Sequence, residues 1–255
     1  MKKYLIANFK THKSNKEITE YFSGLNGFLS EHASVKDNLD IVLMINHLHL
    51  LHAKSLAQEF EVGSQSGDAN GHGSFTSSVS IQEISEEDVR YIILGHAEEL
   101  AFFHEHAKSI NNKIRMALDN HMKVVLCFGE SVRDEFEDTV AHLEKQLKEL
   151  LEGLTSEQVK QIVLAYEPRW AIGTAEAIGQ DIANEIIYAM KKFIAREYEA
   201  KVQILYGGSV KLETLEGFMV APHIDGVLIG RESLDLNKFQ NMIKVANGSM
   251  LEIKK

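Results

Sequence analysis

Short runs of β-branched and apolar residues alternate with longer helical patterns along the whole chain, and this alternation is what most limits the possible folds. Residues such as Val140, Leu143 and Leu147 recur at the spacing of one helix face, which predicts helices over 137–151 and 184–198. Strands are predicted at 4–7, 39–44, 62–65, 91–94, 124–128, 162–166, 202–206 and 226–229. Strands that alternate with helices favour a parallel sheet, either closed into a barrel or open and doubly wound.

Residues suited to chemistry follow several of these predicted strands directly. They are Asn8 and Lys10 after the first, His96 and Glu98 after the fourth, Glu167 after the sixth, Ser209 after the seventh and Gly230 after the eighth. In a closed barrel the active site is built where the strands end, whereas packing alone would favour apolar residues there. The chain is therefore predicted to be an α/β protein, a (β/α)8 barrel that forms one domain over 1–255.

Composition excludes several classes of partner. The net charge is -10, so the chain shows no electrostatic footprint for nucleic acid or for an anionic membrane, and an anionic substrate would need a local positive site. The lone Cys127 excludes an internal disulfide. The apolar run in the first ten residues is too short for a signal peptide or a membrane span, so a cytoplasmic location is expected.

The segment AYEPRWAIGT, at 165–174, places Glu167 at a strand end, followed by Pro168 and by an apolar tip with Trp170 and Gly173. Proline stiffens a hinge, and glycine lets the backbone approach a ligand closely. An isolated glutamate before a turn is usually a surface carboxylate. The residues around this one are instead typical of a closing lid, which makes Glu167 a candidate functional carboxylate.

Paired glycines and a serine follow the seventh strand in YGGSV, at 206–210, where backbone N–H groups could cradle a phosphate. Gly230 heads a short segment after the eighth strand. Barrels commonly build a phosphate site from their last two loops and a short helix N-terminus, which makes Ser209 and Gly230 candidate phosphate ligands. Two ordinary glycine turns are the alternative interpretation.

His96 stands in LGHAEEL, at 94–100, between a strand and a helix. Helix N-terminal amides facing its ring would keep the imidazole neutral and able to donate a hydrogen bond to a carbonyl. A purely structural hydrogen bond is the alternative. Lys10 would supply positive charge to a phosphate or a developing oxyanion, unless it is a solvated surface lysine.

Two groups of histidines raise the question of a metal site. The first comprises His47, His49 and His52 in HLHLLH, and the second comprises His104 and His106. No carboxylate or thiolate completes a ligand set for either group, so the sequence predicts no metal and no cofactor.

Six strings, ANFK, LGHAEE, CFGE, AYEPRWAIGT, YGGSV and DGVLIGRESL, occur in the order and at the spacing seen in the triosephosphate isomerase family, which the chain resembles over 7–234. AYEPxWAIGT followed by YGGSV is highly specific, and the other strings are supportive. The resemblance implies a cofactor-free isomerase that interconverts dihydroxyacetone phosphate and D-glyceraldehyde 3-phosphate. The reaction moves a proton through an enediol(ate) intermediate, as in glycolysis and gluconeogenesis.

The resemblance also implies a role for each matching residue. Glu167 would move the proton, His96 would polarise the carbonyl as a neutral electrophile, and Lys10 would be the cation near the substrate. The rest of the implied site comprises Asn8 and Glu98 in the polar pocket, Gly173, Ser209, Gly230 and Arg231 at the phosphate, and Pro168, Trp170, Ile172 and Leu228 in the lid and clamp.

Members of the resembled family pair through the loop after the third strand. Residues 71–78 resemble that loop and keep Thr76, so a homodimer is expected. Glu99 and Leu100 stand where the family usually has two arginines, and Ser78 stands where it has a glutamate. Since these charges normally brace the loop, the dimer is predicted to be weaker than is usual for the family.

Arg231 takes a position that is usually glycine in the resembled family. If the backbone there needs left-handed dihedrals, a side chain costs roughly 1–2 kcal/mol. The guanidinium can turn to solvent, which is the preferred prediction, or fold back onto the phosphate.

Three other interpretations of the sequence stay open. A non-catalytic barrel used as a scaffold would have no reason to hold Lys10, His96 and Glu167 at separate strand ends. A glycosidase using Glu98 and Glu167 would need the two carboxylates roughly 5–9 Å apart and would normally carry more aromatic platforms. Another phosphate-binding barrel isomerase would leave AYEPRWAIGT unexplained.

Overall fold

The computed structural model of the protein describes residues 2–171 and 178–253. Within them, eight parallel strands close into a barrel in the order β1 to β8, so the closed alternative is correct. The strands are β1 Lys3–Asn8, β2 Leu39–Ile45, β3 Glu61–Ser64, β4 Tyr91–Leu94, β5 Lys123–Phe128, β6 Val163–Tyr166, β7 Gln203–Tyr206 and β8 Gly226–Ile229. Each bound lies within one residue of its prediction, because apolar runs between turn residues mark buried strands clearly.

Helices follow the strands and cover the outside of the barrel. They are α1 Asn15–Glu31, α2 Leu50–Leu56, α3 Ile81–Glu86, α4 Ala97–Phe102, α5 Ala107–Asp119, α6 Phe136–Leu150, α7 Ser156–Val159, α8 Gln180–Tyr198, α9 Leu212–Val220 and α10 Leu236–Ile253. The α6 helix matches its prediction, whereas α8 begins four residues before the predicted start because Gly179 is its extended N-cap. Among the described residues, no helix has both the length and the apolarity to cross a membrane.

The barrel closes where β1 meets β8, with Tyr4 opposite Gly226. Gly226 has φ of 144°, and a Cβ there would lie 2.1 Å from the carbonyl oxygen of Tyr4. Any larger residue would therefore push the last strand away from the first.

Side chains alternate between two buried layers. One layer fills the barrel interior and includes Ile6, Val163, Ala165 and Leu228. The other lies between the strands and the helices and includes Leu5 and Leu164 of the same strands. Because the side-chain period of a strand is two, residues that continue the inward series past a strand's end point into the mouth of the barrel.

Candidate active site

The predicted polar residues meet in one cavity of about 960 Å³ at the carboxyl ends of the strands. Asn8, Lys10, His96, Glu98 and Glu167 all line it, and so do the loops after β7 and β8. Residues from five different strand ends are thus brought together, as a closed barrel requires.

Glu167 continues the inward series of Val163 and Ala165, and it is only 3% exposed. Its Oε2 accepts a hydrogen bond from the N–H of Ala97 at 3.4 Å, and its Oε1 lies 3.5 Å from Nε2 of His96. A Cβ at Gly207 would lie 2.8 Å from the Cγ of Glu167, so a glycine is needed on β7's loop for this carboxylate to reach the cavity.

His96 is 7% exposed and caps the N-terminus of α4. Before it, Gly95 has φ of 70°, and this left-handed turn redirects the chain as it leaves β4. Nδ1 of His96 accepts a hydrogen bond from the N–H of Glu98 at 3.2 Å, so a proton on Nδ1 would oppose that donor. With Nδ1 as an acceptor, this geometry assigns the ring N–H to Nε2.

The distance between the His96 imidazole and the Glu167 carboxylate has a chemical consequence. At 3.5 Å, Nε2 of His96 and Oε1 of Glu167 are farther apart than in an ordinary hydrogen bond. The imidazole N–H and the carboxylate are therefore both available to a molecule that enters the cavity.

Lys10 lines the same cavity, and its backbone is unusual, with φ of 50°. The Lys10 N–H donates to Oδ1 of the buried Asn8 at 3.0 Å, and Nε2 of Gln65 donates to the Lys10 carbonyl at 3.0 Å. These two bonds hold the left-handed turn, and the first of them explains why β1 ends in Asn8. Nζ of Lys10 lies 2.6 Å from Oε1 of Glu98, so Glu98 is the ion-pair partner of the cation.

Backbone glycines form another part of the cavity wall. Gly207, Gly208 and Ser209 after β7 line it together with Gly230 after β8. The N–H of Gly207 donates to the carbonyl of Tyr166 at 2.8 Å, which ties this loop to the end of β6. The wall offers small residues and backbone amides where an anion would have to approach.

Arg231 opens a 3-10 helix, Arg231–Leu234, after Gly230. A 3-10 helix is right-handed, so the strain that left-handed dihedrals would have caused does not arise. The side chain is exposed at the rim of the cavity.

The start of the predicted lid is anchored by a residue that sequence reasoning missed. Oε1 of Glu130 accepts hydrogen bonds from Nε1 of Trp170 at 2.7 Å and from the hydroxyl of Tyr166 at 3.1 Å. Burial raises the pKa of Glu130, while these hydrogen bonds oppose the shift. The string CFGE contains Glu130, but its partners lie 36 and 40 residues away, so no local pattern pointed to it.

The other lid residues divide into two groups. Pro168 precedes a short 3-10 helix, Arg169–Ala171, and Leu228 lies in the barrel interior and lines the cavity. Ile172 and Gly173 lie outside the described residues.

The first histidine group makes separate contacts. Nε2 of His47 lies 2.7 Å from the carbonyl oxygen of Ser66, and Nε2 of His52 lies 2.8 Å from the Thr19 hydroxyl. Over 2–171 and 178–253, no cluster of three or more His, Cys, Asp and Glu side chains could hold a metal ion.

The fold and this cavity define a barrel protein with a buried carboxylate, an imidazole, a lysine and glycine-rich loops at one end of its strands. Residues 3–246 match the family model described as triosephosphate isomerase. The chain belongs to the triosephosphate isomerase family.

Curated relatives agree with this assignment. The chain is 33% identical over 252 residues to triosephosphate isomerase of Mycoplasmoides gallisepticum. The aligned region covers 96% of this chain and 98% of that protein. It is 34% identical over 248 residues to the Mycoplasma pneumoniae enzyme, with 95% and 98% covered. It is 33% identical over 244 residues to the Lacticaseibacillus casei enzyme, with 92% and 95% covered.

Proposed function

We propose that the protein interconverts dihydroxyacetone phosphate and D-glyceraldehyde 3-phosphate by proton transfer through an enediol(ate). The observation that carries the proposal is the pairing of a buried carboxylate with an imidazole whose Nδ1 accepts a backbone hydrogen bond. Oε1 of Glu167 and Nε2 of His96 lie 3.5 Å apart in one cavity, and the ring proton faces that gap. A base and a hydrogen-bond donor so arranged can act on the C–H and the carbonyl of one small molecule.

The proposed reaction needs no group beyond these side chains. Glu167 removes a proton from the carbon next to the carbonyl, and the electrons of that C–H bond move toward the carbonyl oxygen. His96 donates its Nε2–H to this oxygen, and Lys10 offsets the negative charge that develops there. Glu167 then returns a proton to the carbon that carried the carbonyl. The hydroxyl on the carbon that lost its proton gives its own proton back to Nε2 of His96 and becomes the new carbonyl, which completes the exchange of ketone and aldehyde.

The substrate phosphate is proposed to bind at the glycine wall. Ser209 and Gly230 supply short side chains and backbone amides, and Gly173 is assigned to the same subsite by the family pattern. Backbone N–H groups in such loops favour an anion, which a chain of net charge -10 has to attract locally. Leu228 supplies an apolar surface beside the base.

The experiment is a coupled assay of the purified chain with D-glyceraldehyde 3-phosphate, repeated on Glu167→Gln. The amide keeps the size of the side chain and cannot take a proton, so the rate should fall roughly 10²- to 10⁴-fold or more. Equal activity in both proteins would contradict the proposal. An inactive wild type would favour the non-catalytic scaffold, and hydrolysis of a glycoside would favour the paired-carboxylate alternative.

We also propose that the protein is a homodimer in the cytoplasm, where its reaction would take place. Residues 71–78 carry Phe75 at their tip, 49% exposed, and a second cavity of about 890 Å³ borders the active site. Phe102 and Phe103 line that cavity, and each is 72% exposed. An aromatic tip and an aromatic-lined cavity are complementary, so the loop of one protomer fits beside the site of its partner.

Sedimentation velocity across a dilution series tests the dimer. A dimer that dissociates at low concentration with loss of activity is expected. A monomer that stays fully active at every concentration would contradict it. Fractionation of the source cells tests the compartment.

A further inference from the structure

Arg169 stands two residues after Glu167, at the start of the lid, and its side chain lines the same cavity. Its main-chain N–H donates to the carbonyl of Glu130 at 2.9 Å. Its guanidinium NH2 donates to the carbonyl of Gly129, so main chain and side chain both bind the turn after β5. Pro168, between Glu167 and Arg169, has no N–H to contribute, and the arginine side chain supplies a bond that the backbone at that residue cannot make.

The main chain of Glu167 packs closely against Gly129. A Cβ at Gly129 would lie 1.8 Å from the carbonyl oxygen of Glu167. The N–H of Gly129 donates to Oε1 of Gln146 on α6 at 2.9 Å, while its carbonyl accepts from Arg169. Two side chains therefore hold both polar groups of the glycine that supports the candidate base.

The charge of Arg169 is also matched to its surroundings. Burial lowers the pKa of its guanidinium, and the nearby carboxylates of Glu130 and Glu167 oppose that shift. Nε of Arg169 is buried and has no hydrogen-bond partner among the described residues. A buried N–H without a partner is costly, so packing alone gives no reason for an arginine at this position.

We propose that Arg169 is a positioning residue for the isomerase reaction. Its guanidinium clamps the start of the lid to the Gly129 carbonyl, and this clamp fixes the Glu167 carboxylate at the distance that proton transfer needs. The inference rests on the proposed function, because Glu167 is the base only in that reaction.

The test compares Arg169→Met with Arg169→Lys in the full chain, measuring kcat, KM and the isotope effect with substrate deuterated at the carbon that loses its proton. In Arg169→Met, kcat should fall roughly 10- to 100-fold, since a misplacement of about 1 Å can cost that much. KM should stay within about twofold, and the isotope effect on kcat should rise because proton transfer becomes slower. Arg169→Lys keeps a charged donor and should recover part of the loss.

Arg90→Met is the matched control for loss of one positive charge. Arg90 is exposed, pairs with Asp88 at 2.8 Å and precedes β4 at the far end of the barrel, so the kinetics of this variant should equal those of the wild type. Gln146→Leu releases the other side of Gly129 and should lower kcat in the same sense, which keeps the proposal testable if Arg169→Met does not fold.

Two outcomes would overturn the inference. One is an unchanged kcat in Arg169→Met, and a raised KM alongside it would make Arg169 a substrate contact. The other is no recovery in Arg169→Lys. If the wild type itself does not turn over triose phosphate, the proposed function fails. If the wild type is active, Glu167→Gln is inactive and Arg169→Met is normal, only the role of Arg169 fails.

Discussion

The two sides of the barrel mouth are built differently. On the side of β6 and β7, Glu167 is buried, and its position is fixed by Gly129 and Gly207, which leave space for its main chain and side chain. On the side of β3 and β4, Phe75, Phe102 and Phe103 expose large apolar surfaces. One side buries its functional carboxylate, whereas the other exposes an apolar surface of a kind that often marks an interaction site.

The exposed side is nevertheless braced internally. The hydroxyl of Ser78 donates to Oδ2 of Asp68 at 2.7 Å. Asp68 lies 3.9 Å from Nζ of Lys113, which in turn lies 2.6 Å from the carboxylate of Glu105. The loop that lacks the charges expected from the family is thus tied to α5 through a different polar chain.

Glu99 takes part in the same region. Its carboxylate accepts a hydrogen bond from the Ser66 hydroxyl at 3.2 Å. The comparison teaches that internal bracing and pairing with a partner are separate properties. The loop is tied to α5 through Asp68 and Ser78, while the strength of the proposed dimer would depend on what the aromatic side chains cover.

Beyond loss of the base, the largest effect is expected for Lys10→Met, whose side chain reaches from the end of β1 to Glu98 on the side of β4. Nζ of Lys10 is 2.6 Å from Glu98, so the substitution removes the cation and leaves that carboxylate unpaired beside the substrate. Removal of one electrostatic donor typically lowers kcat about 10²- to 10³-fold. Steady-state kinetics measure this, and Lys16→Met, which removes an exposed lysine of α1, should match the wild type. Comparable rates in the two variants would remove Lys10 from the mechanism.

Gly207→Ala tests how tightly the base is held. The added Cβ would lie 2.8 Å from the Cγ of Glu167, so the carboxylate has to move. We expect kcat to fall about 10²-fold, as for a displacement of about 1 Å. Gly248→Ala in α10 meets nothing within 4 Å and is the control. If both alanine variants keep full activity, the carboxylate is less constrained than this side of the barrel indicates.

The residues around the barrel mouth also show how much of the site the sequence could predict. The periods of strands and helices located all eight strands, and a change of chemistry at strand ends located Lys10, His96 and Glu167. The sequence did not predict Glu130 and Arg169, the two residues that hold the start of the lid. Their hydrogen bonds reach residues that are 36 to 40 positions away in sequence. The polar chain from Ser78 to Lys113 was missed for the same physical reason: a side-chain pair across loops leaves no periodic signal.

On the exposed side, Phe75→Ala should weaken the dimer. Truncating a central interface aromatic commonly costs about 1–2 kcal/mol or more, so the dissociation constant should rise about tenfold or more. Sedimentation velocity over a dilution series measures the shift. Phe136→Ala, at an exposed aromatic residue of α6, is the control. An unchanged dissociation constant would mean that the aromatic tip is not covered by a partner.

Glu130→Gln tests the role of Glu130 at the start of the lid, through the pH dependence of protein stability. Burial raises the folded-state pKa of Glu130 above its unfolded value, so its contribution to stability is present at low pH and is lost as pH rises through the folded pKa. Glutamine keeps an acceptor for Trp170 and does not titrate. The melting temperature of the variant relative to wild type should therefore become more favourable from acidic to neutral pH. A difference that is flat or falls with pH would contradict the raised pKa.

The smallest effect is expected for Arg231→Gly, at the rim where the two sides of the mouth meet. The Arg231 side chain is exposed, and its backbone opens a right-handed 3-10 helix that a glycine can also adopt. Folding the guanidinium onto a phosphate would have to offset about 2 kcal/mol of side-chain entropy. The backbone N–H at this position is unchanged by the substitution and can still donate. Inhibition by inorganic phosphate and by sulfate should therefore be nearly the same in variant and wild type.

A direct contact between Arg231 and the phosphate would instead make the substitution weaken anion binding by about 1.5–3 kcal/mol, the range for a hydrogen bond to a charged group. That is at least a tenfold change in the inhibition constant. A loss of that size would show that the arginine belongs to the phosphate site and that this rim contributes charge as well as backbone.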